Sequence, residues 1–173
     1  PDVVADFTSI RLKVSARDVV DVMGAKGKPA TDSYKVSIAY RDGYAASGML
    51  VLLGPDAEKK ARRAGQVLLD RVKDAGFSLE HTLIECLGAG DCVPGIVNAN
   101  SPPPEVVLRV AVRSANRTAV ERFTKEFAPL VTAGPPGVTG YTTGRPQVRE
   151  VFAYWPALVA KSVVDPLVTV TRL

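Results

Sequence analysis

The chain reads as an α+β protein in which an antiparallel sheet carries two helices on one face. Three observations predict this. Tyr34, Val36, Ile38 and Tyr40 alternate with Lys35, Ser37, Ala39 and Arg41, the period of two that marks a strand with one buried side. Two longer segments, 56–75 and 116–131, place apolar residues three and four positions apart, as a helix lying on a sheet requires. Strand-type runs flank both helices in the order strand, helix, strand, strand, helix, strand. With 173 residues, 46% hydrophobic and 23% charged, the chain has the composition of a single globular domain, 1–173.

From the N-terminus, residues 7–14 and 18–23 are short β-prone runs with Ser15-Ala16-Arg17 as the turn between them. GAKGKPATD is a connector. The alternating strand 33–41 meets Asp42-Gly43, which supplies the positive φ of a two-residue turn, so 44–53 is expected to return beside it as a hairpin partner. The first helix, 56–75, has a stripe of Ala57, Ala61, Ala64, Leu68, Val72 and Ala75. Gly54 or Asp56 is its cap, Pro55 and the acidic Asp56 and Glu58 sit at its start, and Gly76 is its terminator.

Strands follow at 78–86 and 105–113, the latter with Val106, Leu108, Val110 and Val112 on one face. The second helix, 116–131, is capped by Asn116 and striped by Val120, Phe123, Phe127 and Leu130, with Pro129 bending or ending it. Strands at 147–154 and 167–171 close the chain. The core 44–53, 56–75, 78–86, 105–113, 116–131, 147–154 is βαββαβ, a ferredoxin-like order, with an N-terminal strand and hairpin extension.

Counting excludes some chemistry. Lys plus Arg is 22 against 18 for Asp plus Glu, and the net charge of +4 is scattered. The cluster Lys59, Lys60, Arg62, Arg63 is diluted by Glu58 and Ala61 and reads as a solvated helix face, so no nucleic-acid partner is expected. His81 is the single histidine and Cys86 and Cys92 the two cysteines, so no metal site and no cofactor is expected. The two cysteines are spaced for a disulfide, or equally for one buried and one loop thiol in a reducing cytoplasm. His81 reads as a structural or surface residue, and as a general base only if a loop carboxylate orients it. No run of 18 apolar residues exists, so no membrane span is expected. The opening Pro1-Asp2-Val3-Val4 has no initiator Met and reads as a cut inside a longer polypeptide.

Two loops are candidates for a site. LGAGDCVPGIVNANSPPP is long for a compact domain, and its Gly88-Ala89-Gly90-Asp91 lacks the third glycine and the helix of a dinucleotide fingerprint. AGPPGVTGYTTGRP lacks the GK[ST] of a phosphate loop, yet its glycines let backbone N–H groups approach a ligand. Asp91 in the first loop and Gly140, Tyr141 and Arg145 in the second are the candidate ligand-binding residues. Arg145 is the strongest, because a guanidinium offers a planar fork of donors to a carboxylate or phosphate. No catalytic constellation can be defended from spacing.

Three segments, PDVVADFTSIRL at 1–12, TDSYKVSIAYRDGY at 31–44 and LVTAGPPGVTGYTTGRPQVREVFAYWP at 130–156, resemble the later part of the acyclic terpene utilisation proteins, the AtuA-like family. The resemblance implies a bacterial, cytoplasmic role in the breakdown of geraniol- or citronellol-type compounds through acyl-CoA intermediates. It also implies an upstream α/β domain of the same polypeptide as a partner. This chain would then be an accessory, substrate-site domain with an acyl-CoA ligand. The alternative is a non-catalytic assembly domain, since open sheet edges are commonly covered by another subunit and a homo-oligomer is expected.

Overall fold

The computed structural model describes residues 4–95, 101–140 and 144–171. The chain divides into two units, residues 1–40 with 154–173 and residues 41–153.

The first unit opens with an antiparallel ribbon. Strand β1 (Val4–Asp6) leads through a single 3-10 turn at Phe7–Ser9, where Asp6 accepts a hydrogen bond from the Thr8 amide, into β2 (Arg11–Ala16). Strand β3 (Val19–Met23) returns beside β2, and β4 (Lys26–Lys28) beside β1. The expected hairpin therefore forms, with its turn at Arg17-Asp18 instead of 15–17, because Ser15 and Ala16 belong to β2; Asp18 has φ 59°. The connector GAKGKPATD is in part strand, because its Lys26–Lys28 stretch completes the ribbon.

Strand β5 (Ser33–Leu53) runs 21 residues without interruption. This overturns the hairpin turn at Asp42-Gly43 and the pairing of 33–41 with 44–53. The physical reason is a stronger partner for 44–53. Strand β7 (below) pairs it from Tyr44↔Ser114 to Leu53↔Glu105, and the Arg113 guanidinium holds both the carbonyl oxygen and the carboxylate of Asp42. Gly43 does have positive φ, 91°, but its use is close approach: a Cβ there would lie 2.8 Å from the Ser114 carbonyl oxygen. Glycine in an extended run can mean crowding as readily as a turn. Within 33–41, Lys35 and Arg41 are exposed and Tyr34 and Val36 half-buried, while Ile38 and Tyr40 are left exposed.

Helix α1 (Ala57–Asp74) buries Ala57, Ala61, Ala64, Leu68 and Val72 as its stripe predicts, and Gly76 ends it at φ 84°. Ala75 lies past the stripe and is exposed. Asp56 occupies the cap position, but its carboxylate takes Lys59 Nζ at 2.9 Å and no backbone amide. Strand β6 (His81–Leu87) begins three residues later than the pattern suggests, and β7 (Glu105–Ser114) buries Val106, Leu108, Val110 and Val112.

The second helix is two helices. Helix α2 (Arg117–Lys125) starts on Asn116, whose Oδ1 accepts from the amides of Thr118 (3.0 Å) and Ala119 (3.4 Å). It breaks at Glu126 and resumes as α3 (Phe127–Ala133). The break falls a turn before Pro129, because the carbonyl a proline cannot serve, and clashes with, is the one four residues earlier, on Lys125.

Strand β8 (Val138–Gly140), inside the segment expected to be an irregular loop, pairs with β5 through Leu50↔Gly140 and Leu52↔Val138. Strand β9 (Arg149–Ala160) extends beyond the expected 147–154 and also pairs with β5. The predicted strand 167–171 does not form. Helix α4 (Lys161–Val164) and a 3-10 turn at Asp165–Leu167 containing Pro166 precede residues with no ladder partner.

Residues 41–153 thus build an antiparallel sheet of order β6-β7-β5-β8. The α1 residues Leu68 and Val72 share one core with Phe123, Phe127 and Leu130 of the second helical pair, so these helices cover one face. The Phe123 and Phe127 rings meet edge to face at 5.1 Å, the geometry aromatic quadrupoles favour. The structure is therefore α+β with mostly antiparallel sheets.

Candidate functional site

The sheet edge at β8 and the helix break together make a cavity. Because α3 restarts at Phe127 after the break, its ring and the Pro146 ring can both sit over Gly48 of β5. A Cβ on Gly48 would lie 2.5 Å from each, so only glycine admits this stacking. Beside it opens a cavity of about 280 Å³. Met49, Leu50, Phe127, Ala128 and Val131 form apolar walls, and Gly140, Gly144 and Arg145 form the rim supplied by the Gly/Pro segment.

Of the residues predicted from sequence, Gly140 and Arg145 come together here. Arg145 is exposed, and its guanidinium makes no hydrogen bond or ion pair among the described residues; its backbone carbonyl accepts from Gln147 Nε2 at 3.2 Å. Thr124, also lining the cavity, has its hydroxyl committed to the Glu121 carbonyl at 2.8 Å. Tyr141 lies outside the described residues. Gly48 was the residue sequence reasoning missed. A lone glycine between Ser47 and Met49 in an apolar run is the signal that a ring approaches the backbone there.

Asp91 is elsewhere, in a shallow hollow with Leu83, Ile84, Glu85, Ala89, Gly90, Pro94 and Gly95. Its Oδ1 accepts from Arg62 at 2.7 Å, and its Oδ2 from Arg62 at 3.2 Å and from the Cys86 amide at 2.8 Å. Arg62 simultaneously holds Glu58 at 2.8 Å. The Arg62 hydrogen bond, then the Cys86 amide, holds the Asp91 carboxyl below the usual carboxylate range. The hydrogen bonds to Asp91 first and Glu58 second raise the Arg62 pKa. This arrangement ties the loop after β6 to α1, and the two candidate loops serve different hollows.

The remaining titratable candidates are dispersed. His81 is exposed, stands opposite Arg113 across the β6–β7 ladder and has no carboxylate partner among the described residues. Neighbouring Glu80 is committed to the Ala115 amide at 2.7 Å. Cys86 is fully buried and Cys92 exposed, and both are free thiols. Among the described residues no three of His, Cys, Asp and Glu converge on a point where a metal ion would sit, and no helix is long and apolar enough to cross a membrane.

A second groove, of about 390 Å³, runs along the other side of α3 between Leu130, Pro135 and the α1 residues Lys59, Lys60, Arg63, Ala64 and Val67. Lys60 is not free to act in it. Its ammonium donates to the carbonyls of Leu53 at 2.7 Å and Pro136 at 2.9 Å, fastening the Gly/Pro segment to the sheet and so fixing where the Gly140–Arg145 rim begins.

No curated protein and no solved structure is similar enough to this chain to give a match. The family model described as acyclic terpene utilisation family protein AtuA matches residues 1–170. The Gly/Pro segment that shapes the cavity lies inside that match. The chain belongs to the acyclic terpene utilisation family.

Proposed function

We propose that this chain serves acyclic terpene utilisation as an accessory, substrate-site domain, holding an acyl-CoA type intermediate in the cavity between β5, α3 and the Gly/Pro segment. The observation that carries the reading is Arg145, a guanidinium without a side-chain partner among the described residues, at the rim of an apolar cavity. A branched hydrocarbon tail matches walls of Met49, Leu50, Phe127 and Val131, since apolar ligands are held mostly by such side chains with few polar groups to orient them. The carbonyl or carboxylate head would then meet Arg145 and the backbone N–H groups that Gly140 and Gly144 leave uncovered. The reaction partner in this reading is an upstream α/β domain of the same polypeptide, in the cytoplasm. The strand order β6-β7-β5-β8 with helices on one face supports a ferredoxin-like core.

Titration calorimetry with a geraniol-derived acyl-CoA tests the site. The expected result is saturable binding that weakens at least tenfold in Arg145→Lys at unchanged melting temperature. Equal affinity in the variant, or no binding by the native protein, overturns it.

The alternative reading, a non-catalytic assembly domain, is favoured by one observation. Among its described residues, the unit of 1–40 with 154–173 has none that is buried, although it is rich in large apolar side chains.

A further inference from the structure

The groove between α1 and α3 carries positive charge that no acid of its wall balances. Helix α1 lines it with Lys59, Lys60 and Arg63, and Asp56 is the acid beside them. Asp56 is already taken, since its carboxylate holds Lys59 Nζ at 2.9 Å and makes that pair neutral. Lys60 donates to two neutral groups, the carbonyls of Leu53 and Pro136, which fix its ammonium without cancelling its charge. The Arg63 guanidinium makes no hydrogen bond or ion pair among the described residues. Lys60 and Arg63 stand three positions apart and Lys59 and Arg63 four, spacings at which like charges on a helix repel. Elsewhere on α1, by contrast, Arg62 is paired with Glu58 and Asp91, and Arg71 with Glu126.

The floor of the groove is of another kind. Ala64 and Leu130 are buried, Val67 and Pro135 half-buried, and all four are apolar. A volume of about 390 Å³ falls within the range of about 300–1,000 Å³ usual for small-molecule sites.

We infer that this groove binds an aliphatic carboxylic acid in its ionised form, with the hydrocarbon chain on the apolar floor and the carboxylate on Arg63. It is a second site, on the other side of α3 from the acyl cavity proposed above, and does not rest on that reading. Arg63 supplies the planar fork of donors that matches two carboxylate oxygens. Lys60, fixed by its two carbonyls, adds its field, and the groove lies at the first turns of α1, the positive end of the helix dipole. The head group follows from the donors on hand. A phosphate presents three strong acceptor oxygens, more than one fork serves, while Lys59 and Lys60 are already engaged. The body follows from the floor, which offers aliphatic carbon and, among the described residues, no aromatic ring on which a nucleotide base could stack.

Heteronuclear NMR of the 173-residue chain titrated with octanoate tests the site, beside octanol, octyl phosphate and adenosine monophosphate. The expected result is saturable shifts centred on the amides of Arg63, Ala64, Val67 and Leu130, with octanoate bound at least tenfold more tightly than octanol. Arg63→Gln is expected to weaken octanoate binding at least tenfold at an unchanged melting temperature. Arg145→Lys is expected to leave it as it is, which separates this groove from the acyl cavity. Equal binding of octanoate and octanol, indifference to Arg63→Gln, or shifts centred instead on Met49 and Val131 overturns the proposal. So does the lack of saturable binding up to millimolar octanoate. Octyl phosphate or adenosine monophosphate bound more tightly than octanoate overturns the assigned ligand class. If Arg63→Gln lowers the melting temperature, Arg63→Lys, which keeps the charge and loses the fork, repeats the comparison. A loss of at least threefold then supports the fork, and equal affinity overturns it.

Discussion

Glu126 and Arg71 join the helices of the single layer that covers the sheet: the Glu126 carboxylate, 2% exposed, takes Arg71 of α1 on one oxygen and Arg122 of α2 on the other, the latter at 2.6 Å. The acid sits at the interruption between α2 and α3, where a broken helix would otherwise leave a polar backbone close to the core. Glu126→Gln keeps the shape and removes the charge that both guanidinium groups face. Hydrogen bonds to charged groups contribute about 1.5–3 kcal/mol, so the variant is expected to be less stable by about 2 kcal/mol in urea denaturation. An unchanged midpoint would show that the two arginines are equally well served by water.

The tie between Asp91 and Arg62 makes stability depend on pH in a defined direction. The folded carboxyl titrates below its unfolded value, so its stabilisation is present above about pH 4 and is lost as pH falls through the lower, folded value. Asp91→Asn is expected to cost about 1–2 kcal/mol at pH 7, a figure reduced for the partial exposure of Arg62. The gap from the native chain should narrow as pH falls below about 4 and on through the folded value. A gap that stays constant from pH 7 to pH 3 would refute the charge-based account.

The two thiols should react at different rates. Burial pushes the Cys86 thiol up to about 11; Arg62 pulls it back, and Asp91 and Glu58 add to the rise. Cys92 is exposed. Because the thiolate is the reactive form, a chromogenic disulfide reagent at pH 8 is expected to modify Cys92 promptly and Cys86 only after urea is added. Prompt reaction of both in the native protein would show that the loop after β6 opens readily.

Gly43 distinguishes a strand that continues from a strand that turns. Its φ of 91° and the 2.8 Å a Cβ would have to the Ser114 carbonyl both oppose a side chain. Gly43→Val is expected to destabilise by about 1–3 kcal/mol, the scale of a strained backbone position, measured by urea denaturation. Gly54 also has positive φ but has open space around it, so Gly54→Asn should be far milder. Equal effects would mean that φ alone decides and that the crowding against β7 is unimportant.

Local pattern alone determined the helical stripes, the β7 face, the Asn116 cap, the Gly76 stop and the early hairpin, because each depends on neighbours within a turn or two of the chain. It also picked out the Gly/Pro segment whose Gly140 and Arg145 line the cavity, since a segment rich in glycine and proline with one cation is recognisable without knowing what it meets. Tertiary structure decided the rest. Asp42-Gly43 has turn chemistry, but β7 offers 44–53 a ten-residue ladder and Arg113 holds Asp42, so long-range pairing overrides a local preference. Pro129 announced a break, and its position followed from which carbonyl lost its donor. Asp91 and Arg145 looked alike as loop residues. Only the fold brought Arg62 to the first and left the second without a side-chain partner among the described residues at the mouth of a cavity, because which partners reach a side chain depends on residues far away in the sequence.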